Sequence, residues 1–174
     1  MGRPQRACGI GRLAAQPTCS PGESVGRAYG VHGPVQTVAS ACASATLAMG
    51  NALAALRAGE IDIALAGGSD SLCRLTYAGF NSLRAVDPRA CRPFRTEREG
   101  MSIGEGAAVL VLETAASARA RGARILGWLL GAGASCDAHH MTAPDPQGAG
   151  IARAVEAALV DSGLQASDID FVNV

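Results

Sequence analysis

The residue placed to do chemistry is Cys42, within Val35-Gln36-Thr37-Val38-Ala39-Ser40-Ala41-Cys42-Ala43-Ser44-Ala45. Val35, Thr37 and Val38 are β-branched and follow Gly33-Pro34, so residues 35–41 read as a short strand. Leu47, Met49, Leu53 and Leu56 then recur at helical spacings, and the segment after Cys42 reads as a helix. A thiol at such a junction faces the free N–H groups of the helix start, where its thiolate is favoured. Thiolate is the form that attacks a carbonyl in covalent catalysis. Two readings stand side by side: a nucleophile, or a structural cysteine buried among alanines.

Composition narrows the function classes. The 174 residues suit one domain with a sizeable core. Net charge is zero and the basic residues are dispersed, which does not suit nucleic acid or a membrane surface. The basic residues are all arginines, so no lysine of this chain forms a Schiff base or acts as a general base. The six cysteines include no C-x-x-C pair, so neither a zinc site nor a redox motif is expected. No metal is assigned. No apolar run reaches the roughly 18 residues of a membrane span. Reduced thiols and the absence of an apolar segment near the start suit a cytoplasmic protein.

Residues 1–24 carry little pattern and read as an irregular leader, with Arg3, Arg6 and Arg12 and no acid before Glu23. The domain is set at 25–174. Gly59 suits the C′ position of the helix after Cys42. Residues 61–68 read as a buried strand running into a Gly67-Gly68 turn, giving a strand–helix–strand crossover unit. Residues 71–98 read as irregular with short helical pieces. Gly104-Glu105-Gly106 is a turn before a strand at 108–113, and no dinucleotide fingerprint follows it. A helix at 114–122, a glycine-broken strand at 125–133, a helix at 148–162 and the start of a strand at 171–174 complete the pass.

Four motifs in order resemble the β-ketoacyl-[acyl-carrier-protein] synthases, the condensing enzymes of fatty-acid and polyketide synthesis. They are the stretch around Cys42, the Ala66-Gly67-Gly68 turn, the Gly104-Glu105-Gly106 turn, and Asp137-Ala138-His139-His140-Met141-Thr142. The resemblance implies a thiolase-like layered α/β/α/β/α fold, only partly represented: most of the first half and the start of the second. It implies that Cys42 is the catalytic nucleophile and that Phe80, within Tyr77–Leu83, walls the acyl pocket. Phe80 as plain core packing is the equal alternative. Asp137 and His140 are implied to order and gate a loop at the site entrance, with a solvated loop pair as the other reading. Cys91-Arg92-Pro93-Phe94-Arg95 through Gly100 departs from the family pattern, because Arg95 stands where an aspartate is usual and Glu99 replaces a second one.

By resemblance the reaction is acyl transfer to Cys42, then decarboxylative Claisen condensation with malonyl-carrier protein. The implied partner is acyl-carrier protein, whose own phosphopantetheine arm carries the acyl group, so the chain itself needs no cofactor. A homodimer through the strand 35–41 is also implied. The family's histidines belong to motifs that His32, His139 and His140 do not occupy, so the chain alone is expected to condense nothing. A polyketide-type condensing domain, a thiolase, and a truncated non-catalytic fragment or dimerisation partner are the alternatives. The fatty-acid type II branch is preferred on the Asp137–Thr142 loop.

Overall fold

The computed structural model describes residues 20–173. Its elements are α1 (Ser20–Ala28), a 3₁₀ turn (Ala41–Ala43), α2 (Ser44–Arg57), β1 (Ile63–Asp70), α3 (Arg74–Ser82), β2 (Gly106–Glu113), α4 (Ala115–Ala120), α5 (Ala149–Ser162) and a 3₁₀ turn at Ala166–Asp168. Residues 1–19 of the expected irregular leader lie outside the described residues. Its last part is corrected: α1 already begins at Ser20.

Chain punctuation explains the helix limits. Gly59, Gly122 and Gly163 follow α2, α4 and α5 with φ of 70°, 67° and 72°, the left-handed geometry that closes a helix. Thr114 caps α4 by accepting the N–H of Ser117 at 3.2 Å.

β1 and β2 form an antiparallel two-stranded sheet, with Ile63 opposite Glu113 and Asp70 opposite Gly106. This corrects the expected crossover unit. Residues 35–41 do not pair as a strand, and no backbone–backbone hydrogen bond among the described residues involves 33–39. A strand exists through its ladder, and propensity alone does not supply a neighbour. The same reason applies to 125–133 and to 171–173, which are likewise outside any strand. Val35 instead packs on α1, beside Gly22 and Gly26.

Gly67 and Gly68 are a second correction, since they lie inside β1 and make no turn. A Cβ on Gly67 would sit 2.0 Å from the Ala108 carbonyl oxygen, and one on Gly68 would sit 2.8 Å from Ala45 Cβ. Glycine is therefore required by close approach, of β2 in one case and of α2 in the other. α2 lies against β1, and the buried side chains include Leu56 of α2, Ala66 of β1 and Ala118 of α4. At the far side, Gly131 and Gly133 let residues 131–133 approach the backbone of α5, where a Cβ would meet Ala158 O at 2.8 Å and Ala154 O at 2.1 Å.

Candidate active site

Cys42 lies in the 3₁₀ turn that leads directly into α2, and it is exposed. The turn is sharp: Ala41 has φ of 46°, a left-handed conformation that a side chain makes costly. Ser44 closes it. Its Oγ accepts the N–H of Ser40 at 2.8 Å and donates to the carbonyl of Ala41 at 2.7 Å. The Ser44 N–H also reaches the Ala41 carbonyl, and the Ala43 N–H reaches the Ser40 carbonyl at 3.1 Å. The N–H of Cys42 has no acceptor among the described residues. The site therefore offers an accessible sulfur beside an unpaired backbone donor, the pairing that covalent acyl transfer uses for attack and for oxyanion stabilisation. The first turn of α2 lies close on β1, where a Cβ on Gly68 would sit 2.8 Å from Ala45 Cβ.

Ser44 is the residue that reading the sequence missed. Its signal was present: a small hydroxyl residue just after a tight turn habitually bonds the local backbone.

Among the described residues, no hydrogen bond joins the other expected site residues to Cys42. Phe80 is half-buried on α3 and lines a shallow depression with Leu75, Gly79 and Leu83, a lining that does not include Cys42. Asp137 is half-buried beside the first turn of α5, where a Cβ on Gly150 would lie 2.7 Å from its own. Its carboxylate accepts the N–H of Asp145 at 2.9 Å and of His139 at 3.4 Å. Those two bonds, Asp145 first, hold its pKa below the usual carboxylate range. The Nδ1 of His140 accepts the N–H groups of Thr142 at 3.1 Å and Ala143 at 3.2 Å. Two accepted bonds place the ring proton of the neutral side chain on Nε2. Arg153 fastens the start of the loop by donating to the Cys136 carbonyl at 3.0 Å. No hydrogen bond among the described residues joins a histidine to Cys42.

Glu105 is exposed, and its Oε2 accepts the Leu72 N–H at 3.0 Å. The loop with the unusual Arg95 is organised around Asp87, which sequence reading passed over. Asp87 is buried and accepts the Arg89 N–H at 2.8 Å, the Arg92 guanidinium at 2.9 Å and the Glu99 N–H at 3.3 Å. These bonds hold its pKa below the usual carboxylate range, the Arg89 N–H contributing most.

Residues 18–118 match the family described as β-ketoacyl synthase, N-terminal domain. The chain belongs to the β-ketoacyl synthase family. Residues 126–174 match the C-terminal domain of the same family. Nodulation protein E of Rhizobium meliloti is 40% identical over 173 residues, covering 99% of this chain and 42% of its own length. The 3-oxoacyl-[acyl-carrier-protein] synthase 2 of Staphylococcus aureus is 39% identical over 150 residues, covering 83% of this chain and 36% of its own length. The chain thus spans well under half of the relatives it matches. Among solved structures, a type II polyketide ketosynthase in complex with its acyl-carrier protein and bound to the hexaketide superposes with a TM-score of 0.89 at 33% identity. That match covers 93% of this chain and 42% of the other. The fold is accordingly the ketosynthases' thiolase-like one, partly represented, with mixed helix and strand. No helix among the described residues is long and apolar enough to cross a membrane.

Proposed function

We propose that this β-ketoacyl synthase chain takes an acyl group from a carrier-protein thioester onto Cys42. The observation that carries the reading is the exposed Cys42 sulfur at a sharp turn, next to its own N–H, which has no acceptor among the described residues. The Cys42 thiolate attacks the thioester carbonyl carbon, and the carbonyl π pair moves to oxygen. The Cys42 N–H donates to that oxyanion. Collapse restores the carbonyl, expels the carrier's pantetheine thiolate, which takes up a proton, and leaves the acyl group on Cys42. The acyl chain packs toward Phe80, and the loop of Asp137 and His140 orders the approach to the site. Condensation with a malonyl carrier follows in the family's chemistry. Acylation of Cys42 is the half-reaction that the geometry of its turn supports.

The partner is an acyl-carrier protein, as in the complex superposed above, and its phosphopantetheine arm belongs to the substrate. The chemistry is common to fatty-acid and polyketide condensation, and a cytoplasmic location belongs to the same proposal. Pairing with a second ketosynthase chain along 35–41 is supported by the backbone groups of 33–39, which make no backbone hydrogen bond among the described residues and are able to accept a neighbouring strand.

The test is intact-mass spectrometry of the chain and of Cys42→Ala after incubation with an acyl-pantetheine thioester. One acyl adduct that is lost in the variant is the expected result. An unmodified chain, or adducts retained in Cys42→Ala at the same level, overturns the reading.

A further inference from the structure

We infer that Ser44 is a positioning residue that aims the Cys42 N–H at the developing oxyanion, an inference that rests on acyl transfer at Cys42. The carbonyl of Ala41 and the N–H of Cys42 belong to one peptide unit. That unit is planar and trans, so its C=O and N–H point in opposite directions. Whatever fixes the carbonyl fixes the N–H. The Ala41 carbonyl is held by the Ser44 hydroxyl at 2.7 Å and by the Ser44 N–H. It therefore points into the first turn of α2, and the Cys42 N–H points away from it.

The same hydroxyl accepts the Ser40 N–H at 2.8 Å, so one side chain grips both sides of the residue with φ of 46°. Without that grip, the Ser44 N–H alone holds the Ala41 carbonyl; Ala41 then relaxes toward an ordinary negative φ, and the peptide plane turns with it. The sulfur stays exposed after such a turn. What is lost is the direction of the donor, and oxyanion stabilisation depends on that direction. Ser44 touches neither the sulfur nor the reacting carbonyl. Its effect passes through the Ala41–Cys42 peptide.

Two reagents separate this role from a general one. Acylation by an acyl-pantetheine thioester passes through an oxyanion; alkylation by iodoacetamide displaces iodide and forms none. Both rates at Cys42 are measured by peptide mass spectrometry on the full chain, for wild type, Ser44→Ala, Ser44→Thr and Ser44→Val. Thr and Val are alike in shape and differ in the hydroxyl, so the comparison holds even where Ser44→Ala does not fold.

The expected result is a fall in acylation of about 10- to 100-fold in Ser44→Ala and Ser44→Val, with alkylation within about threefold of wild type and Ser44→Thr near wild type. Equal acylation in the Thr and Val variants overturns the inference, as does a parallel fall in both rates. A wild-type chain that is alkylated but never acylated overturns the functional reading itself. Acylation that is intact in wild type and indifferent to the hydroxyl overturns only the role of Ser44.

Discussion

Arg57 and Asp161, 104 residues apart in the chain, meet where α2 and α5 end: one guanidinium nitrogen of Arg57 lies 2.9 Å from each carboxylate oxygen of Asp161. The pair does more than join two helices. Arg57 also donates to the Leu130 carbonyl at 2.6 Å, and Asp161 accepts the Ala132 N–H at 2.9 Å. The intervening segment is held between them, next to Gly50 of α2, where a Cβ would lie 3.1 Å from Ala132 Cβ. Both side chains are partly exposed, so solvent screens the charge itself and the backbone bonds matter more. Arg57→Ala is expected to lower the melting temperature by about 2–4 °C, read by circular dichroism.

The same pair sets a pH dependence. The Ala132 N–H first, then Arg57, hold the Asp161 carboxyl below its usual range. A carboxylate lowered by folding contributes stability that is present above its unfolded pKa and is lost as pH falls through the folded value. Asp87 and Asp137 are shifted the same way and add to this acid limb. Urea titrations at stepped pH are expected to show wild-type stability falling below the normal carboxylate range, with a shallower fall in Asp161→Asn. Identical slopes in the two proteins would sink the assignment.

Gly68→Ala tests how the sheet positions the site. The new methyl would meet Ala45 Cβ at 2.8 Å, in the first turn of the helix that follows Cys42. Either α2 lifts from β1 or the strand shifts, at about 1–3 kcal/mol. The expected outcome is lower stability together with slower acylation of Cys42. Normal acylation in a destabilised variant would show that the height of α2 above β1 does not set the site. Gly67→Ala should be worse, because the obstacle is the Ala108 carbonyl of the partner strand, at 2.0 Å.

These glycines show what the sequence made legible. The order of motifs around Cys42, Gly104-Glu105-Gly106 and Asp137–Thr142 was enough for the family and for the partly represented thiolase-like fold. The helices after Cys42 and after Gly148 were legible because apolar spacing and terminal glycines agreed, and the short helix after Thr114 was legible from its closing Gly122. Gly67-Gly68 was misread as a turn because a glycine pair marks either a bend or a close approach, and only the neighbouring Ala108 and Ala45 decide which. Residues 35–41 had strand propensity but no ladder among the described residues. Asp87 and Ser44 escaped because each works through backbone partners fixed by tertiary structure, and neither carries a motif of its own.

Asp87→Asn should loosen the arginine-rich loop without unfolding the chain. The buried carboxylate gathers Arg92 and two backbone N–H groups, and Arg89 reaches Glu99 at 3.1 Å across the same loop. The asparagine keeps one acceptor oxygen but no charge to face Arg92, so buried groups lose partners. Limited trypsin digestion reads this directly, since Arg89, Arg95 and Arg98 all lie in the loop. Cleavage there is expected to speed up several-fold relative to cleavage elsewhere. An unchanged pattern would mean that the loop is held by something other than Asp87.

Cys73 will compete with Cys42 for any thiol reagent, and the structure says why. Its Sγ caps α3, accepting the Thr76 N–H at 3.3 Å and lying 3.0 Å from the Thr76 hydroxyl. The hydroxyl contributes most to holding this exposed thiol below its ordinary pKa, with the N–H second. More thiolate at neutral pH means faster alkylation, with the midpoint of the pH–rate curve moved down. Thr76→Val removes the hydroxyl and keeps the N–H, so the midpoint should rise and labelling of Cys73 at pH 7 should slow about threefold. Labelling of Cys42 should not change, because no hydrogen bond links the two turns. Peptide-resolved iodoacetamide kinetics distinguish the two cysteines. If Thr76→Val slows both equally, the change is one of folding and the capping hydroxyl does not tune Cys73. If it slows Cys73 alone, the share of any adduct found on the Cys73 peptide of Cys42→Ala can be subtracted.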